Sequence, residues 1–176
     1  MPNIYLALVT LALAWYTPNV SALQDNGSVI DGFIARQARR ERGEEYREAR
    51  KVMVGDLTRD GVPETVVLYT IESQGGTNNY VQYVAVFARD NRGLIPVTHT
   101  EVGGKMRRSV EIASVENNTI QLATLSYGPK DASCCPSVKG TTRYALVGRT
   151  LREQKHGTAR VPGRTIRRQP RRESIQ

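Results

Sequence analysis

The chain has 176 residues, with 25 Lys and Arg against 17 Asp and Glu and a formal net charge of +8. The charge is unevenly placed: Leu23 to Gly148 holds 16 basic against 15 acidic side chains, whereas Arg149 to Gln176 holds 9 against 2. The length admits one domain with a real core and excludes two comfortable ones, and the body of that domain is close to neutral, so the basicity belongs to the tail.

In chain order, the first element is an apolar run from Ile4 to Trp15, the length of a signal h-region and too short to cross a hydrocarbon core of ~30 Å comfortably. Thr17-Pro18-Asn19 breaks it, and Val20-Ser21-Ala22 places small residues where a signal peptidase needs them. Cleavage after Ala22 is expected, giving a mature chain from Leu23 that is periplasmic or secreted and has no stable transmembrane segment. No Lys or Arg precedes the run, so the terminal amine is its only positive charge, and a retained N-terminal anchor is the competing reading. No cysteine stands near the cut to carry a lipid.

Ser28 to Lys51, rich in Arg, Glu and Ala, predicts a helix with Ser28 as N-cap, Asp31 completing a weakened capping box, and Gly43 as a point of division. Val29, Ile30, Phe33, Ile34 and Ala38, then Tyr46 and Ala49, are its apolar positions, and they would face a sheet. From Val52 onward the pattern changes to β-branched and aromatic runs. Val52 to Val54, Glu64 to Glu72, Tyr80 to Arg89, Ile95 to Val102, Lys105 to Val115, Thr119 to Tyr127 and Thr142 to Leu151 all read as strands. Their links are mostly short and carry hairpin chemistry, as in Asp60-Gly61, Gly75-Gly76 and Asn117-Asn118, so the strands should form an antiparallel meander. Val67, Tyr69 and Ile71 alternate with Val66 and Leu68, which marks that strand as central with both faces covered. The expected fold is therefore α+β, mainly β: residues 23–151 as a single domain, with an N-terminal helix packed on a curved antiparallel sheet of about six to seven strands.

Gly55-Asp56-Leu57-Thr58-Arg59-Asp60-Gly61-Val62-Pro63-Glu64 has oxygen side chains at the spacing of a calcium loop, with glycine at the sharp turn. Asp56, Thr58, Asp60 and Glu64 are the candidate ligands, and Ca²⁺ is the cofactor they would take. The charge count is low, since Thr58 replaces an acid and Leu68 stands where a bidentate Glu belongs. The other reading is a hairpin whose aspartates hydrogen-bond the loop backbone without metal. Cys134 and Cys135, the only cysteines, are adjacent in Asp131-Ala132-Ser133-Cys134-Cys135-Pro136-Ser137. In an oxidising compartment they can close an eight-membered ring; redox activity, metal binding and an intermolecular bond are the alternatives. His99 falls on a strand of alternating polarity and is expected to face solvent, and no nucleophile elbow or phosphate-cradling glycine motif occurs. Asn26-Gly27-Ser28 and Asn117-Asn118-Thr119 match the glycosylation acceptor pattern, which has meaning only in a eukaryotic source.

The tail, 152–176, has few apolar residues and should be disordered. Its Arg160, Arg164, Arg167, Arg168, Arg171 and Arg172 either extend into solvent or bind a polyanion such as an anionic envelope surface.

The GDLTRDGVPETVV segment resembles the calcium-loop hairpin of FG-GAP and integrin-type repeats, over one loop and one strand and with no second copy. Together with the SYGPKDASCCPS loop and the strands between Val52 and Leu151, it also resembles the exported bacterial proteins grouped around the LppP/LprE lipoproteins. The chain departs from them in having no lipid-bearing cysteine and in adding the basic tail. The resemblance implies export and this fold, and carries no agreed activity. The expected function is a non-enzymatic binding or structural module with an unknown protein partner; the alternative is a thiol-dependent redox protein using the cysteine pair.

Overall fold

A computed structural model describes residues 20–154, with side chains from residue 26. The elements are α1 (Val20–Glu41), β1 (Glu44–Glu45), a 3₁₀ turn (Arg47–Ala49), β2 (Lys51–Gly55), β3 (Glu64–Glu72), a second 3₁₀ turn (Gln74–Gly76), β4 (Tyr80–Asp90), β5 (Gly93–Gly104), β6 (Arg108–Glu116), β7 (Thr119–Ser126), β8 (Val138–Val147) and β9 (Thr150–Gln154). All pairings are antiparallel, in the order β1-β3-β4-β5-β6-β7-β8-β9, with β2 beside β3. The fold is α+β and mainly β.

The helix lies elsewhere than composition places it. It runs across the expected cleavage point, so Ser28 is inside it rather than at its cap, and it stops at Glu41. Arg42 takes a left-handed φ of 53°, and the Gly43 N–H closes on the Ala38 carbonyl at 3.0 Å. A Cβ at Gly43 would lie 2.5 Å from the Glu72 carbonyl oxygen, so glycine is what lets the chain turn there and pair Glu44 and Glu45 with the end of β3. Arg50 then fixes the corner, donating to Glu45 and to Asp31 on the helix, and Arg47 adds a second donor to Asp31.

The sheet builds two cores. On one face, Val67, Tyr69 and Ile71 of β3 and Ala85 and Phe87 of β4 meet Ile30, Ile34 and Ala38 of α1, with Phe33 packed edge-on against Phe87 at 5.3 Å between ring centroids. On the other, Val66, Leu68, Val84, Val86 and Val102 meet Val110, Val115, Ile120, Leu122, Tyr144 and Leu151. Each fully buried Val, Leu, Ile or Phe among them contributes on the order of 1.5–3 kcal/mol on burial. The second core exists because the sheet folds over itself. β5 and β6 pair only through Gly104 and Arg108, after which β6 crosses the first strands: Val110 meets Gln82 of β4, and Val115 meets Gly55 of β2. A Cβ on Gly55 would lie 2.5 Å from the Val115 carbonyl oxygen, so the crossing requires glycine.

Two differences concern the C-terminal half. The run expected as one strand from Thr142 to Leu151 is a hairpin, because Gly148 at φ 60° turns the chain between β8 and β9. β9 continues to Gln154, three residues into the segment expected to be tail, since Glu153 bonds Arg108, Thr142 and Tyr144. The apolar run before Val20 and all six tail arginines lie outside the described residues.

Candidate functional site

The acidic loop between β2 and β3 is held by its own backbone. Asp56 accepts from the N–H groups of Arg59 at 2.6 Å, Gly61 at 3.0 Å and Thr58 at 3.2 Å, and Asp60 accepts from Val62 at 2.8 Å. Against the opposing effect of desolvation, the Gly61, Arg59 and Thr58 amides hold the Asp56 carboxyl below its ordinary value. Glu64 is buried and accepts from the Leu57 N–H at 2.7 Å and from the Thr58 hydroxyl at 3.4 Å. The loop is tied in turn to the β6–β7 turn, where Asn118 donates to the Leu57 carbonyl and accepts from Arg59. Among the described residues no group of three or more His, Cys, Asp or Glu comes together to hold a metal ion; Asp56 and Asp60 accept from the loop's own backbone, and Thr58 bonds Glu64.

Cys134 and Cys135 are joined to each other in the loop between β7 and β8, and both are exposed. Asp131 organises that loop: its carboxylate accepts from the Gly128 N–H at 2.7 Å, from the Ser137 N–H at 2.8 Å and from the Ser137 hydroxyl. The Gly128 amide first, then Ser137, holds Asp131 below the usual carboxylate range. The Tyr127 hydroxyl donates to the Ser133 carbonyl at 2.9 Å, and the Cys135 N–H to the Ala132 carbonyl at 3.0 Å. The result is a braced loop overhanging an open cleft of about 270 Å³ lined by Asn78, Tyr80, Lys105, Tyr127, Ser133 and Cys134. Burial, with Tyr127 adding to it, pushes the Tyr80 hydroxyl's pKa up, so it stays protonated and can donate. The Lys105 ammonium donates to the Asn78 carbonyl, and two phenols and one sulfur of the disulfide share the lining with these polar groups. Among the described residues no imidazole or carboxylate lines this cleft beside the sulfurs.

A third feature was not legible. His99 is only partly open to solvent: it lies half-buried under α1, edge-on to Phe33 at 5.5 Å, with Nδ1 3.3 Å from the Tyr69 hydroxyl. The register between β4 and β5 shifts at two places, skipping Val97 and Val102. These bulges turn the alternation of β5 so that His99 stands opposite Ala85, on the helix side. Alternation along β5 alone gives no signal for this; the small Ala85 opposite, which leaves room for the ring, is visible only with the register. Beside it, Tyr83 donates to Glu41 at 2.8 Å, and Glu41 also accepts from Gln37 and Gln74.

No protein-family model matches this chain, no curated protein matches it, and no solved structure matches it.

Proposed function

We propose that the chain is exported, to the periplasm or outside the cell, and works there as a non-enzymatic binding or structural module. Its ligand surface is the cleft beside the Cys134–Cys135 loop, and its arginine-rich tail holds it to an anionic surface. The observation that carries this reading is the bracing of that loop. The disulfide, Asp131 and Tyr127 all fix loop geometry, which is what a preformed recognition surface needs. The signal-like N-terminus supports export, since two bonded cysteines belong in an oxidising compartment. The resemblance to the LppP/LprE group supports the same location.

The exposure of both cysteines favours a second reading, a thiol-dependent redox protein. In that reaction a partner dithiol loses two electrons and two protons and becomes a disulfide, while the Cys134–Cys135 bond opens to two thiols. Incubation with a glutathione buffer poised near the compartment's potential separates the readings. The module reading expects the bond to stay closed; opening and closing within the poise would replace it with the redox reading.

The tail is tested by co-sedimentation with vesicles of phosphatidylcholine containing phosphatidylglycerol. The full mature chain should bind and be released as salt rises from 0.05 to about 0.5 M, because a Debye length near 10 Å at 0.1 M shortens steeply. A chain ending at Gln154 should bind more weakly. Equal, salt-insensitive binding by both would remove the tail from the account.

A further inference from the structure

The cleft between α1 and β5 carries a cationic site that the reading above does not use. It is an open hollow of about 310 Å³ lined by Arg36, Arg40, Thr98 and His99, with Phe33 and Pro96 among its apolar walls. We propose that this cleft binds a phosphate ester, with Arg36 and Arg40 holding its charge and His99 donating a hydrogen bond to it.

Arg36 and Arg40 stand four residues apart on α1 and so share one face of the helix. Both are exposed, and neither has an ion-pair or hydrogen-bond partner among the described residues. Glu41, next to Arg40 in sequence, accepts from Gln37, Gln74 and Tyr83 and forms no ion pair with either guanidinium among the described residues. Guanidinium groups so placed present forked donors suited to phosphate oxygens.

His99 supplies the third donor. Tyr69 is fully buried, and burial raises its pKa so that the hydroxyl keeps its proton. Its hydrogen-bond partner among the described residues is His99 Nδ1, and with the buried hydroxyl as donor Nδ1 is the acceptor. Burial also lowers the His99 pKa, with Arg40 acting the same way and Glu41 opposing, and the neutral ring then carries its proton on Nε2. Nε2 has no partner among the described residues, yet no buried side-chain nitrogen or oxygen lacks one, so Nε2 reaches solvent. A phosphate group has enough oxygens to meet two guanidiniums, the Nε2–H and the Thr98 hydroxyl together, while Phe33 and Pro96 can cover an apolar portion of the ester.

The site is read at His99 itself, in the full mature chain carrying His156→Gln so that one imidazole remains. Inorganic phosphate, glycerol phosphate and dihexanoylphosphatidate below its micelle concentration are titrated at constant ionic strength, following the ring nitrogen resonances. The expected result is a saturable shift of Nε2, with affinity lowered about tenfold or more in Arg36→Gln/Arg40→Gln. These exposed arginines have no partners to lose among the described residues, and the amide spectrum reports whether the fold is kept; the single Arg36→Gln variant, expected to be intermediate, is the second measure. Similar affinity for all three compounds supports a site for small free phosphates, and preference for the phosphatidate supports a lipid headgroup. An unmoved His99 resonance, a shift that chloride reproduces, or equal shifts in parent and variants would overturn the proposal.

Discussion

Asp56 accepts three backbone N–H groups of its own loop, and a carboxylate so used is a structural group before it is a ligand. Replacing Asp56 by Ala should therefore lower the melting temperature equally with and without millimolar Ca²⁺, and Ca²⁺ should leave the parent's melting unchanged; a Ca²⁺-dependent rise that Asp56→Ala abolishes would reverse this. Both readings of the loop follow from residue spacing, because Asx-type turns and calcium loops use the same side chains. The burial of Glu64 and its bond to Leu57 depend on how β3 enters the core and are not written locally. Asp31 gives a pH-dependent test. The hydrogen bond from Arg50 first, then Arg47, holds its folded pKa below the ordinary value. Its contribution is thus fully present above the unfolded pKa of about 3.9 and is lost as pH falls through the folded value. The Asp31 side chain is 39% exposed, so solvent screening keeps that contribution to about 1 kcal/mol or less. Thermal melts of the parent and Asp31→Asn should differ at pH 7 and converge as pH falls through the lowered folded pKa; a gap independent of pH would show that the ion pair is not the cause.

At the scale of the element, the fold depends on how β6 is attached where it leaves the regular ladder. Gln82, buried on β4, accepts from the Val110 N–H at 2.9 Å and donates to the Val110 carbonyl at 3.2 Å, so one side-chain amide stands in for a neighbouring strand. Gln82→Leu keeps the volume and strands both backbone groups, which should cost roughly 2–4 kcal/mol in urea unfolding; a loss below about 0.5 kcal/mol would mean that the crossing is held by apolar packing alone. Alternation made β3 recognisable as a central strand, and Val66, Leu68 and Val67, Tyr69, Ile71 do enter opposite cores. The helix end and the β8–β9 hairpin were harder to place. Arg42 in a left-handed conformation carries no residue-type signature, and Gly148 differs in no local way from glycines that strands tolerate. Composition also carried the helix too far, because Glu44 to Arg50 have good helix formers whose side chains are instead claimed by Asp31 and by each other.

At the scale of the whole molecule, the described body is nearly neutral and the excess of basic residues lies toward the C-terminus of the sequence. Two cores on opposite faces of one sheet stabilise the body, while the Cys134–Cys135 ring encloses only its own two residues and so removes little chain entropy. Its effect is confined to the shape of the loop above the cleft, which is why the account treats it as part of a recognition surface rather than a fastening for the fold. The most direct test is the intact mass of the protein recovered from the cells that make it, without reductant and after exposure to a thiol alkylator. The account predicts a chain beginning at Leu23, lighter by two hydrogens than the free dithiol and carrying no alkyl group, and unchanged by glutathione at the compartment's poise. Free thiols, or a cysteine adduct released by reduction, would contradict it and put thiol chemistry in place of binding.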